Sequence, residues 1–98
     1  MTIQKTINGA ALAVRIEGRI DTTTAPQLET ELKESLPGVT ELQLDFAGVE
    51  YISSAGLRVL LGAQKAMNAQ GKMSISHVSE DVMEVFEITG FADILTIL

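Results

Sequence analysis

Hydrophobic spacing divides the chain into short alternating stretches and longer helical ones. Ile3, Lys5 and Ile7 alternate with polar residues, and Asn8-Gly9 follows, a pair that favours a type I′ hairpin turn. The return segment, residues 11–17, places Leu12, Val14 and Ile16 on one face. An antiparallel strand pair is therefore predicted to open the fold. Gly18-Arg19-Ile20-Asp21 ends the second strand, and residues 22–27 start a helix. Thr24 and Gln27 have the spacing of a capping box, and Pro26 sits in the first turn, where its missing N–H had no partner. Leu28, Leu32 and Leu36 then recur every fourth residue on one face, with Glu29 and Lys33 as an outward pair, until Pro37-Gly38 stops the helix.

Residues 39–46 read as the next strand. Past Leu42-Gln43-Leu44, residues 45–56 (Asp-Phe-Ala-Gly-Val-Glu-Tyr-Ile-Ser-Ser-Ala-Gly) run to a pair of serines and a small-small pair. A helix follows Ala55, its amphipathic run beginning at Leu57. Leu57, Leu60, Leu61 and Met67 share one arc, with Val59, Ala63 and Ala66 beside it, and only a wedge with Arg58, Gly62 and Lys65 is left for solvent. Gly71 ends this helix and residues 73–77 form a fourth strand. Ser79 caps a helix carrying Val82, Val85 and Phe86, which Gly90 ends, and residues 94–98 are predicted to close the chain as a fifth strand. The order β-β-α-β-α-β-α-β predicts an α/β fold, a mixed but largely parallel sheet packed with helices. In such sheets, sites gather at the carboxyl ends of the strands. Asp21 and Ser53-Ser54 are predicted to share that rim.

The composition narrows the function classes. The 98 residues form one domain, and 46% hydrophobic with 20% charged residues describes a compact folded chain. A net charge of −6 argues against a nucleic-acid partner. The absence of cysteine removes disulfides and thiolate zinc sites. The apolar runs fall far short of the roughly 20 residues that span a membrane, and the N-terminus lacks the apolar core of a signal peptide. A cytoplasmic protein without membrane association is expected. No phosphate-binding glycine loop, catalytic triad or metal-ligand cluster is visible, so neither enzymatic activity nor a cofactor or metal is expected.

Four segments in order resemble the STAS domain, the fold of bacterial anti-sigma factor antagonists. They are Gly18-Arg19-Ile20-Asp21 with Thr24-Ala25-Pro26; Asp45, Val49 and Ser54-Ala55-Gly56-Leu57; Val85-Phe86-Glu87; and Thr89-Gly90-Phe91 with Ile94-Leu95. The resemblance covers essentially the whole chain, as a single STAS domain over residues 1–98. It implies that Ser54, two positions before the glycine, is phosphorylated by an anti-sigma factor that is itself a serine kinase. It further implies that the unphosphorylated form binds this kinase and releases a sigma factor, and that a serine phosphatase reverses the modification. Relatives often carry aspartate where this chain has Ser53 and serine or threonine where it has Ala55. Ser53 is thereby an alternative acceptor.

The residues themselves leave alternatives open. Ser54 fits an N-cap as well as a regulatory serine, and the two roles are compatible. Asp21 orients Ser54 or contacts the kinase in one reading, and satisfies its own turn in the other. Asp45 reads as a strand-exit or loop-ordering carboxylate, and His77, the only histidine, as a surface residue rather than a phosphohistidine carrier. Leu57, Val59 and Leu61 divide between core and partner surface, while Arg58 lies on the exposed wedge. The expected partner surface comprises Asp21, Thr22, Ser53, Ala55, Gly56, Leu57 and Arg58. A monomer or weak homodimer is expected. The competing readings are a sensor or scaffold binding a small anion, nucleotide or protein without phosphorylation, and a self-assembling subunit.

Overall fold

The computed structural model describes residues Met1–Leu98. Strand β1 (Thr2–Asn8) pairs antiparallel with β2 (Ala11–Ile20), with Asn8 opposite Ala11. The tight turn is therefore centred on Gly9-Ala10. Only Gly9 there has a positive φ, 63°, the pattern of a type II′ turn and not of the predicted type I′.

The predicted helices all form. Helix α1 (Ala25–Ser35) precedes β3 (Glu41–Ile52), α2 (Ser54–Gln70) precedes β4 (Lys72–Ser76), and α3 (Glu80–Thr89) follows. The sheet runs β1-β2-β3-β4, with β2, β3 and β4 mutually parallel. Its core face is written in the alternation: Leu12, Val14 and Ile16 of β2, Leu42, Leu44 and Phe46 of β3, and Met73 and Ile75 of β4 are all buried. Leu28 and Leu32 of α1, Leu60 and Met67 of α2, and Val82 and Phe86 of α3 join them in one hydrophobic cluster. Phe46 and Phe86 meet with ring centroids 6.4 Å apart. The residues between, such as Ala13, Arg15 and Gln43, are exposed, so the opposite face of the sheet is open.

Strand β3 is longer than the pattern predicted because it carries two extra residues. Arg15 and Glu17 face Asp45 and Gly48, and Gly18 and Arg19 face Val49 and Tyr51. Each irregularity moves the buried position on by three residues instead of two, from Phe46 to Val49 and then to Ile52. A strict alternation ends at Phe46, which is where the sequence pattern ends the strand.

Two further expectations are corrected. Residues 94–98 do not form a full strand. Gly90, left-handed at φ 81°, passes the chain into a 3-10 turn at Phe91–Asp93. Beyond Ile94 the chain makes a single parallel bridge, Ile75 with Ile97, in which Ile75 N–H donates to Thr96 O and Leu98 N–H donates to Ile75 O, each at 2.9 Å. The capping box at Thr24 is also absent. Thr24 has helical backbone angles, φ −98° and ψ −24°, which turn its hydroxyl back toward the preceding loop.

At the other end of the sheet, Gln70 Nε2 donates to Leu36 O at 2.7 Å and Val39 O at 2.6 Å, satisfying carbonyls past the end of α1. Beside it, a Cβ on Gly71 would stand 1.9 Å from Thr40 O, so the backbones meet there with no room for any side chain. On the sheet edge, Lys5 reaches Glu31 and Ser35 and ties β1 to α1.

Candidate functional site

The rim is built where β2 and β3 end side by side. Ile20 pairs with Ile52, and Ser53 N–H donates to Ile20 O at 2.8 Å. The segments beginning at Asp21 and Ser54 thus leave adjacent, hydrogen-bonded strand ends, as the topology predicted. Gly56 makes this closeness possible. A Cβ there would lie 2.7 Å from side-chain carbons of both Ile20 and Ile52.

The two serines have different roles. Ser53 is the N-cap of α2: its backbone is extended, and its Oγ accepts from Gly56 N–H at 3.3 Å. Ser54 is the first helical residue and is exposed. The cap predicted at Ser54 is therefore supplied one residue earlier, and α2 starts ahead of Leu57. Because Ser53 absorbs the capping role, the Ser54 hydroxyl makes no bond within the chain. It stands in the first turn, where free N–H groups and the helix dipole favour negative charge.

Asp21 occupies the other side of the rim and is engaged in its own turn. Its Oδ1 accepts from Thr23 Oγ1 at 2.7 Å, Thr23 N–H at 3.0 Å and Thr24 N–H at 3.1 Å. Thr24 Oγ1 accepts from Asp21 N–H at 2.8 Å and donates to Arg19 O at 2.7 Å. The Thr23 hydroxyl bond, followed by the Thr24 backbone bond, holds the Asp21 carboxyl below its ordinary pKa of 3.8, against a smaller opposing effect of desolvation. Asp21 makes no hydrogen bond to Ser54, so the turn role is realised and the orienting role is not.

The remaining expected residues separate by burial. Thr22 and Arg58 are exposed, Ala55 is half-buried, and the three line one shallow depression of about 170 Å³ with Pro26 and Val59, between the starts of α1 and α2. Gly56 and Leu57, expected on the partner surface, are buried, Leu57 at 6% exposure. They hold the rim from beneath. Val59 is buried as well, and Leu61 is half-buried.

Asp45 lies within β3, seven residues before its end, and not at a strand exit. Its Oδ1 accepts from Ala47 N–H at 2.9 Å, inside the strand at the first β2–β3 irregularity, so it orders no loop, and it lies 3.2 Å from His77 Nδ1. His77 is exposed and left-handed at φ 57°. Arg19 stacks its guanidinium 4.3 Å from the centre of the Tyr51 ring, a surface contact that the irregular β2–β3 register creates and no local motif announces. No three side chains of the kinds that hold metal ions come together, and no helix is long and apolar enough to cross a membrane.

Residues 2–98 match the STAS domain family. The chain belongs to the STAS domain family. Among its relatives, a protein of Bordetella bronchiseptica described as a candidate anti-sigma factor antagonist, BtrV, is 38% identical over 99 residues, covering 99% of this chain and 84% of the relative. An anti-sigma-B factor antagonist of Staphylococcus aureus is 30% identical, covering 97% of this chain and 90% of its own. The fold is also that of the Bacillus anti-sigma factor antagonist SpoIIAA, solved unphosphorylated and phosphorylated. The TM-scores are 0.77 and 0.76 at 18% identity, with 99% of this chain covered in both and 87% and 91% of the two solved chains. In this STAS domain, the signature serine of the sequence is the exposed first residue of α2.

Proposed function

We propose that this STAS domain is an anti-sigma factor antagonist of the cytoplasm. Unphosphorylated, it binds an anti-sigma factor that is a serine kinase, and this binding frees the sigma factor. The kinase transfers the γ-phosphoryl group of ATP to Ser54 Oγ: a P–O bond forms to the serine, the bond to ADP breaks, and the hydroxyl proton is lost. A serine phosphatase hydrolyses the phosphoserine with one water, releasing inorganic phosphate and returning the hydroxyl. The chain is the substrate in this cycle and performs no catalysis itself.

The observation that carries this reading is the division between Ser53, committed as the cap, and Ser54, exposed and unbonded at the same helix start. The relatives' names as antagonists support it. The magnitudes are also compatible. A phosphoserine carries about −1.5 to −2 charges, and the dipole of α2 favours it by about 0.3–1 kcal/mol. The modified domain therefore stays folded. Releasing a partner a thousandfold requires about 4 kcal/mol, which repulsion and steric blockade within an interface are able to supply.

Incubation with the candidate anti-sigma kinase and ATP, followed by mass-spectrometric mapping, tests the proposal. One phosphate on Ser54 with loss of the complex is the expected result. A phosphate mapped to Ser53, or tight binding with no phosphate, would overturn the assignment of the switch.

A further inference from the structure

The positive charges of this acidic chain are distributed unevenly. Lys5 is paired with Glu31, Arg15 with Glu17, Arg19 with Asp21 and Lys33 with Glu29. Arg58, Lys65 and Lys72 make no ion pair. Two of these three belong to α2, and they lie on one line. Ser54, Arg58, Gly62 and Lys65 follow one another at steps of four, four and three residues, the spacing of a single helix face, and all four are exposed. The serine of the rim is thus the head of a positive stripe running down the helix.

Alongside the stripe lies a groove of about 160 Å³ between α1 and α2. Leu32 of α1 and Leu36 at its C-cap line it on one side, Val59, Ala63 and Ala66 of α2 on the other, and Gly62 leaves it open at the stripe. The groove and the rim depression share Glu29 and Val59, so they form one continuous surface. Its two lips differ in charge. On α1, Glu29 and Lys33 neutralise each other at 3.7 Å. On α2, Arg58 and Lys65 are unmatched, in a chain whose net charge is −6.

Resting on the reading of Ser54 above, we propose that this groove is the docking site for an acidic amphipathic segment of the anti-sigma kinase. One apolar side chain fills the groove and neighbouring carboxylates meet Arg58 and Lys65. A cavity of about 150 Å³ holds a benzene-sized group, so one leucine- or phenylalanine-sized side chain is the right occupant. The kinase meets Ser54 as the free hydroxyl with Arg58 unpaired, whereas the phosphatase meets it with the phosphate already beside Arg58, so an acidic segment fits the kinase as the occupant. The site also explains how one phosphate is felt beyond its own position. Phosphorylated Ser54, one turn before Arg58, places about −1.5 to −2 charges at the head of the stripe and neutralises Arg58, the nearer of the two cations that attract the segment.

The test measures the affinity of the candidate anti-sigma kinase for the intact chain and four variants, each checked for folding by circular dichroism. Arg58→Glu with Lys65→Glu is expected to weaken binding about a hundredfold or more, with a reduced dependence on salt. Gly62→Trp, whose Cβ direction meets nothing within 4 Å, fills the groove without disturbing the core and is expected to weaken binding about tenfold or more. Lys72→Glu reverses the third unpaired cation, away from the stripe, and is expected to leave binding unchanged. Ser54→Asp reports on the switch itself. Loss of binding in Ser54→Asp with none in the charge-reversed or Gly62→Trp proteins would overturn the docking site and leave the switch standing. A kinase that binds no form of the chain overturns both. A third result also overturns the docking site. The chain's own α3 exposes Glu80, Glu84, Glu87 and Ile88, and self-association in sedimentation that Arg58→Glu with Lys65→Glu abolishes would make a second copy the occupant.

Discussion

The rim joins two helix starts that solve the same problem in opposite ways. Both must satisfy free N–H groups, and both carry adjacent hydroxyl residues. At α1, one carboxylate gathers the turn: Asp21 Oδ1 takes the Thr23 hydroxyl and the N–H groups of Thr23 and Thr24, and Thr24 is spent on Asp21 and Arg19. Of its three threonines, only Thr22 is left outside this network. At α2, a single serine, Ser53, supplies the cap, and its neighbour Ser54 is left over. One side of the rim is locked by its own hydrogen bonds, and the other displays a hydroxyl that stability does not use. A switch belongs on the second kind of surface, because its chemistry can change without unfolding what holds it.

The largest expected effect tests that division directly. Ser54→Ala is expected to abolish phosphate incorporation by the kinase, measured by intact mass, while Ser53→Ala retains it; incorporation that survives in Ser54→Ala breaks the comparison. Gly56→Ala comes next. The added methyl must displace Ile20 and Ile52 beneath both helix starts, and a loss of about 1–3 kcal/mol is expected in urea denaturation. An unchanged midpoint would show that the rim does not depend on this close approach.

Smaller effects sharpen the contrast between the serines. Ser53→Ala is expected to cost about 1 kcal/mol as a lost cap, and Ser54→Ala less than about 0.5 kcal/mol as an exposed substitution. Equal losses in thermal unfolding would mean that the two hydroxyls share the capping role. The smallest effect is confined to acid. The Asp21 carboxyl is held below its ordinary 3.8 in the folded chain, so folding favours its ionised form. That contribution is complete above the unfolded pKa and is lost as pH falls below 3.8 through the lowered folded value. Asp21→Asn is therefore expected to flatten this part of the acid limb in stability measurements against pH; an unaltered limb would remove Asp21 as its source.

Much of this arrangement was readable from the chain, element by element. Leu28, Leu32 and Leu36 mark the buried face of α1 because helical periodicity is a local property. Gly38, Gly71 and Gly90 mark helix ends for the same reason. The pattern marks Ser79 as a cap, and its Oγ accepts from Val82 N–H at 3.2 Å. The rim was also foreseeable, since parallel strands with single-helix crossovers must place Asp21 and Ser53-Ser54 at the same end. The errors are of another kind. Both serines satisfy the cap motif in the sequence, and only backbone angles distinguish the extended Ser53 from the first helical residue, Ser54. The alternation ends β3 at Phe46 because its two extra residues break the pattern, and they are defined only against β2.

The sequence by itself determined the alternating core face of the strands up to Phe46, the buried leucine face of the first helix, the order of the elements as far as α3 and the family to which they belong, because these follow from patterns within one segment or from motifs in fixed order. The tertiary structure decided matters that depend on two segments at once. It set the irregular β2–β3 register that brings Arg19 onto Tyr51, the close approach at Gly56 and the single bridge at Ile97. It also left Arg58 and Lys65 without partners beside a groove. Pairing and packing are long-range, and a residue's freedom is settled by what folds against it.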